Sequence, residues 1–166
     1  MSSNAEQTRS EIVALLPRLR RFARALTGQA ADADDIVQIA VERALMRIDQ
    51  FETGTRLDAW LFSIVRNAWI DEARARTRRG KVFAPAELGE QVSHDGAAEA
   101  HAKLEASDVW AAMGKLPEEQ REAVALVCVE GLAYREAANA LGVPIGTLTS
   151  RLARGREALQ HMLGDA

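Results

Sequence analysis

The stretch YREAANALGVPIGTLTSRLARGREAL, residues 134–159, holds two amphipathic segments joined at LGVPIG, and the second carries three arginines against the single acid Glu157. Ala137 and Leu141 stand four apart in the first segment. In the second, Leu148, Leu152, Gly155 and Leu159 fall within about 60° of one another on a helical wheel at ~100° per residue. Gly142 at the junction permits the sharp angle of a helix-turn-helix. On the outward side of the second segment stand Thr147, Ser150 and Arg154, flanked by Arg151. Hydroxyls near a helix start with guanidinium groups behind them suit base edges and phosphates in a major groove. An ordinary helical hairpin with a solvated basic face is the plainer alternative. The turn, the shift to basic character and the preceding helix favour binding to a polyanion.

Working back along the chain, LPEEQREAVALVCVEGL opens with Pro117 and two acids and closes at Gly131, which predicts a helix from Glu118 to about Glu130. Leu104, Val109, Trp110, Met113 and Leu116 recur as one face of a helix before it. Residues 80–103, GKVFAPAELGEQVSHDGAAEAHAK, have no sustained period and read as an acidic linker. Before the linker, EIVALLPRLRRFARAL predicts a helix with Ile12, Leu15, Leu16, Leu19, Phe22, Ala23 and Leu26 inward and a kink or break at Pro17. A second helix follows, capped by Asp32 and stacking Val37, Val41, Leu45 and Ile48 on one side. A third, AWLFSIVRNAWIDEARARTRR, is capped by Asp58 and buries Leu61, Ile64, Val65 and Ala68. Its opposite stripe is Asn67, Asp71, Arg74 and Arg78. An amide followed by arginines can touch bases and then grip phosphates. Trp60 is expected in the core, whereas Trp69 fits core or base stacking equally well.

The totals agree with this organisation. The chain has 166 residues, 48% of them hydrophobic and 5% aromatic. With alanine, leucine and arginine abundant and no strand alternation, the class is all-α: two small helical domains, 10–80 and 104–163, joined by a flexible linker at 81–103. Net charge is −3, yet Arg66 to Lys81 holds six basic residues against two acids. Basic helix ends separated by an acidic stretch suggest two surfaces for a phosphate backbone. No run is long enough to cross a bilayer, and the start MSSNAEQTRSEI lacks a secretory pattern, so the expected compartment is the cytoplasm. The single Cys128, flanked by Val127 and Val129, reads as a small core residue. Three scattered histidines give no zinc spacing, and no cofactor is expected.

ADDIVQIAVERAL, RLDAWLFSIVRNAWIDEARAR and LPEEQREAVALVCVEGLAYREAANALGVPIGTLTSRLARGREAL, in this order and separation, resemble the extracytoplasmic-function (ECF) sigma factors of the sigma-70 family, from about Leu15 to Leu163. The resemblance implies a first domain that binds the β′ clamp helices of core RNA polymerase and opens the minus-10 element. It implies a second that binds the β flap and reads the minus-35 element of promoter DNA. By position it assigns Asp35, Gln38 and Arg43 to the polymerase, and Asn67, Asp71, Arg74 and Arg78 to minus-10, with Arg76 and Arg79 continuing the basic helix. Thr147, Thr149, Ser150, Arg151 and Arg154 fall to minus-35. The loop DQFETGT lies where the family captures a flipped base. An anti-sigma factor covering both domains is implied as a further partner. The sequence departs from the pattern at Ile39, where glutamate is frequent, at Thr149, where lysine or arginine is common, and at Gly155, where alanine is more usual.

Two other readings compete. A stand-alone regulator would use residues 134–159 equally well but leave the basic end of the third helix idle. A metal-dependent enzyme built on Asp32, Asp34 and Asp35 lacks further ligands, and no nucleophile, base and orienter converge anywhere. The chain is not expected to be an enzyme.

Overall fold

The computed structural model describes residues 2–80 and 107–164, and every element among them is helical. The first group comprises α1 (Ser2–Thr27), α2 (Ala30–Met46), a 3-10 turn (Ile48–Gln50) and α3 (Leu57–Arg78). The second comprises α4 (107–114), α5 (Glu118–Val124) running into a π-helical turn (Ala125–Val129), α6 (Tyr134–Leu141) and α7 (Ile145–Met162). The expected all-α architecture is therefore present. The linker expected at 81–103, with His94 and His101, lies outside the described residues, as does Leu104.

In the first group Leu19, Phe22 and Ala23 of α1 meet Ile36, Val37 and Ala40 of α2 and Leu61, Phe62 and Val65 of α3, all essentially without solvent contact. Phe22 and Phe62 meet edge to face with centroids 5.2 Å apart, the arrangement the ring quadrupoles favour. The buried side of α3 is the predicted one. That of α2 is not: Ala33, Ile36, Val37, Ala40 and Ala44 turn inward while Leu45 is exposed and Val41 and Ile48 are half-buried. Three alanines on the inner face let α2 approach its neighbours closely, which rotates the larger side chains to the rim.

Helix α1 begins at Ser2, nine residues before the expected start at Glu11, and its Asn4 Nδ2 donates to Thr53 Oγ1 at 2.9 Å, tying the first turn to the loop before α3. The helix runs through Pro17 without a break. Pro17 and Val13 both lie on the exposed side, where water can replace the donor that Val13 loses. Neither predicted aspartate cap forms. Gln29 and Arg56 occupy the two cap positions, and both acids sit inside the first turn. Asp32 binds Arg76 Nη2 at 2.8 Å. Asp58 accepts from the Ala59 N–H at 2.8 Å and from Arg56 Nη2 at 2.7 Å. These first-turn acids favour the helix dipole while bonding to arginines.

Both carboxyls are held below their ordinary range, Asp32 by its hydrogen bond to Arg76 and Asp58 by its hydrogen bond to Arg56. A depressed folded pKa contributes stability that is fully present above the unfolded value, about 3.9 for aspartate, and that is lost as pH falls through the folded value. Asp58→Asn is expected to cost about 1.5–3 kcal/mol at pH 7, the range for hydrogen bonds to charged groups. That gap should begin to narrow below about pH 3.9 and close only as pH falls through the still lower folded value, where the wild-type carboxylate is itself protonated. Denaturant titrations at both pH values check it.

In the second group α6 and α7 form the expected pair. Gly142 ends α6 at φ 66°, and the Val143 N–H returns to the Ala138 carbonyl at 3.1 Å, a glycine-closed helix end. Leu148 and Leu152 are buried under α6 and α5, as the wheel predicts. Cys128 differs from its expected place: it is exposed. The π-helical turn shifts the register after Val124 and leaves the thiol outward between half-buried Val127 and Val129.

The two groups do not stand apart. Core contact is continuous from one to the other, and a polar seam surrounds it. Arg21 of α1 grips Glu130 through Nε to Oε1 at 2.7 Å and Nη2 to Oε2 at 2.9 Å. Arg18 donates to the Glu130 carbonyl at 2.7 Å and lies over the Phe62 ring at 5.3 Å. Arg56 pairs with Glu136 of α6 at 3.0 Å, and Arg66 of α3 with Glu122 of α5 at 3.3 Å. Trp69 Nε1 donates to Glu118 at 3.0 Å.

Candidate nucleic-acid interface

The stripe predicted on α3 is exposed along its whole length: Asn67, Asp71, Arg74 and Arg78 all face solvent. The four residues recur at spacings of four, three and four on a helix whose inner face is filled by Leu61, Ile64, Val65 and Ala68, so burial of one side fixes presentation of the other. Arg76 points elsewhere. It is held by Asp32 and by Glu72 Oε1 at 3.0 Å, and these bonds push its pKa up. Arg79 is shared with the same Glu72 at 3.2 Å. The basic end of α3 is thus divided between Arg76, which fastens it to α2, Arg79, which pairs within its own helical segment, and the outward Arg74 and Arg78.

On α7, Thr149, Ser150 and Arg154 are exposed, while Thr147 and Arg151 are half-buried. Arg151 approaches Glu119 at 3.6 Å, a long pair whose acid is exposed and which is therefore weak. The Thr149 hydroxyl donates back to the Ile145 carbonyl at 2.8 Å, so its donor is engaged within its own helix and its methyl and acceptor lone pairs are left for a partner. Gly155 faces α5: a Cβ there would lie 2.8 Å from Val124 Cγ2 and 3.3 Å from the Gln120 carbonyl oxygen. The departure from alanine noted in the sequence is a packing requirement, since glycine brings α7 down onto α5.

The α2 residues present a third surface. Asp35 and Gln38 are exposed, and together with Ile39, Glu42, Glu72 and Arg76 they line a shallow cleft of about 320 Å³. Arg43 is half-buried and binds Asp71 at 3.0 Å. This bond joins one residue of the α2 set to one of the α3 set, a coupling that spacing along either helix does not reveal.

The loop before α3 closes over aromatic surface. Phe51 and Trp60 meet at a tilt of 42°, with centroids 5.2 Å apart. Trp60 is half-buried rather than fully in the core. Beside it, Thr55, Arg56, Ala59, Trp60 and Ser63 form one wall of a cavity of about 350 Å³, and Glu136, Asn139 and Ala140 of α6 form the other. Arg56 and Ser63 carried no signal of their own in the sequence, because the second wall comes from a helix some 80 residues away. Trp69, which fitted either role, is 5% exposed and bonded to Glu118, hence a core residue at the seam.

Burial pushes the Glu122 carboxyl up, opposed by the nearby Arg66. Desolvation prevails there, so the raised value marks a carboxylate that the seam tolerates rather than one that strengthens it. Among the described residues no helix is long and apolar enough to cross a membrane.

The comparisons with known proteins match both helical groups. The family described as Sigma-70, region 4 matches residues 107–159, and the Sigma2 domain of PhyR matches residues 12–66. The chain is 40% identical to the ECF RNA polymerase sigma factor EcfG of Rhodopseudomonas palustris over 95% of its own length and 86% of that protein. It is 32% identical to the ECF RNA polymerase sigma factor SigW of Bacillus subtilis over 84% of its length and 80% of that protein. Among solved structures, the sigma factor RpoE of Bartonella quintana, in complex with the anti-sigma factor NepR, superposes with a TM-score of 0.83 at 34% identity, covering 95% of this chain and 97% of that one. CnrH, in complex with the cytosolic domain of CnrY, gives a TM-score of 0.64 at 26% identity over 96% of this chain and 94% of that one. With identity of this extent across both helical groups, the chain belongs to the ECF RNA polymerase sigma factors and is a transcription initiation factor rather than an enzyme.

Proposed function

We propose that this sigma factor divides promoter recognition between two domains, 10–80 and 104–163, with Asn67, Asp71, Arg74 and Arg78 on the minus-10 element and Thr147, Thr149, Ser150, Arg151 and Arg154 on the minus-35 element. Asp35, Gln38 and Arg43 bind core RNA polymerase at the clamp helices, and the second domain meets the β flap. The observation that carries this reading is the outward presentation of Asn67 and Arg154 from helices whose opposite faces are buried. The cavity beside Trp60 suits a base displaced from its stack, with the hydroxyl oxygens of Thr55 and Ser63 on its wall as acceptors. The protein works in the cytoplasm, where its polymerase is. An anti-sigma factor controls it, as the relatives solved with NepR and CnrY are partnered.

In vitro transcription with core polymerase on a promoter library tests the assignment. The wild type is expected to transcribe a restricted promoter class. Arg154→Ala should reduce this about 5- to 150-fold, matching the ~1–3 kcal/mol of one bidentate base contact. Asn67→Ala should have a comparable effect at minus-10 positions. Arg74→Ala should weaken all promoters alike and lower the salt dependence of binding by about one counterion. Full transcription from all three variants, with helicity retained, would overturn the site assignment.

A further inference from the structure

Helix α7 shows solvent two flanks of different chemistry. At ~100° per residue, Thr147, Ser150 and Arg154 fall within about 60° of one another, and Ile145, Thr149 and Ala153 within about 80°. The two sets lie on either side of the line that points away from the buried Leu148, Leu152 and Gly155. The first flank carries hydroxyls and a guanidinium, which account for hydrogen bonds to bases and phosphates. The second is apolar. Ile145, the first residue of α7, is 50% exposed, and Thr149 and Ala153 are exposed as well. A single exposed isoleucine is ordinary on a protein surface. Aligned apolar groups at the start of a reading helix are not, because the N-terminal residues of the second helix of a helix-turn-helix meet the base edges.

The Thr149 hydroxyl donates to the Ile145 carbonyl at 2.8 Å, so it has no proton left to give a base. Its methyl, one turn beyond Ile145, extends the apolar flank instead. In the major groove only thymine offers a partner of that kind, its C5-methyl group, which adenine, guanine and cytosine lack. We propose that Thr149, with Ile145 beside it, is a specificity-determining residue that reads the C5-methyl of a thymine in the minus-35 element. The proposal rests on the assignment of α7 to that element made above. The groove is about 12 Å wide and a helix with its side chains about 10–12 Å across, so a seated α7 has both flanks against the groove. Ser150 and Arg154 then take hydrogen-bonding edges and phosphates, while the Thr149 methyl and the Ile145 side chain exclude water from the thymine methyl. Desolvation of apolar surface, rather than a hydrogen bond, distinguishes T·A from C·G at that step. The contact is neutral, so it contributes base choice without adding a counterion to the salt dependence.

Binding of the holoenzyme to duplexes recovered from the promoter library tests this, with each minus-35 thymine replaced in turn by deoxyuridine. That exchange removes the methyl and leaves base pairing intact. One position is expected to lose about fourfold in affinity, the effect of one methyl group withdrawn from an apolar contact. Thr149→Ser, which keeps the hydroxyl and its bond within the helix, should lose a similar factor on the thymine duplex and be indifferent to deoxyuridine at that position. Thr149→Val, which keeps a methyl and discards the hydroxyl, should remain sensitive, and Ile145→Ala should be less so. This non-additivity between protein and base changes is a readout that a merely structural threonine would not move. If Arg154→Ala weakens binding but no position responds to deoxyuridine, or the minus-35 element contains no A·T pair, the proposal is overturned and the assignment of α7 stands. Equal losses from Thr149→Ser and Ile145→Ala on thymine and deoxyuridine duplexes would also overturn it, since the apolar flank would then dock onto polymerase rather than DNA. Indifference of binding to Arg154→Ala as well as to deoxyuridine would bring down the minus-35 assignment itself.

Discussion

Phe62→Ala is expected to cost about 3–5 kcal/mol, the range for deleting a fully buried aromatic ring. Phe62 has no exposed surface, meets Phe22 edge to face and lies beneath the Arg18 guanidinium. Its removal leaves a hole between α1 and α3 that neither rigid helix can fill by relaxing. The same change withdraws the ring on which Arg18 rests as that arginine reaches Asp58 at 3.2 Å and the Glu130 carbonyl. The loss should therefore appear both in the first helical group and at the seam. Circular dichroism melts should show a midpoint lower by about 2–4 °C per kcal/mol for a chain of this size. Phe62→Leu, which keeps most of the volume, should recover much of the loss. A Phe62→Ala melt within 2 °C of wild type would contradict the packing described.

Gly155→Val is the second large effect. In the middle of a helix, exchange of glycine for another residue ordinarily adds up to about 1 kcal/mol of propensity. At this position the sign reverses. The added Cβ would meet Val124 Cγ2 at 2.8 Å and the Gln120 carbonyl oxygen at 3.3 Å. The first neighbour can rotate only into a filled core, and the second is backbone. Overpacking of this kind costs about 1–3 kcal/mol, with a branched side chain at the upper end. Gly155→Ala should show a smaller net loss, because helix propensity offsets part of the clash. Since α7 carries the residues assigned to minus-35, displacement from α5 should reduce transcription from promoters that depend on that element more than from those that do not. Urea titration and the promoter library together check it. A stabilised Gly155→Ala would mean that α5 and α7 are not in the contact described.

Much of the site could be read in the sequence because helices convert spacing into direction. The inner faces of α3 and α7 emerge correctly from the recurrence of apolar residues, and the outward positions of Asn67, Arg74, Arg78, Ser150 and Arg154 follow. Where apolar and small residues are mixed, the same reasoning fails. In α2, Val41 and Leu45 outrank the alanines by hydrophobicity, yet Ala40 and Ala44 are the buried ones, because close approach of helices selects for size. At Cys128 the register changes through a π-helical turn that a period of 3.6 does not contain. Asp32 and Asp58 have the composition of caps, but both sit inside the first turn, where Asp32 binds Arg76 of a distant helix and Asp58 binds its neighbour Arg56.

Composition, order of motifs and helical period by themselves determined that the chain is all-helical, that one helix in each half has a cationic outer face, and that the family is that of the ECF sigma factors. Only the tertiary structure decided that Trp69 is buried, that Arg76 is a fastener rather than an open cation, that Gly155 is a contact point, and that Glu130 lies under Arg18 and Arg21. The physical reason is range. Backbone periodicity acts over a few residues and is written in the chain, whereas an ion pair such as Arg21–Glu130, 109 residues apart, exists only once packing has placed both groups and excluded the water that would otherwise separate them.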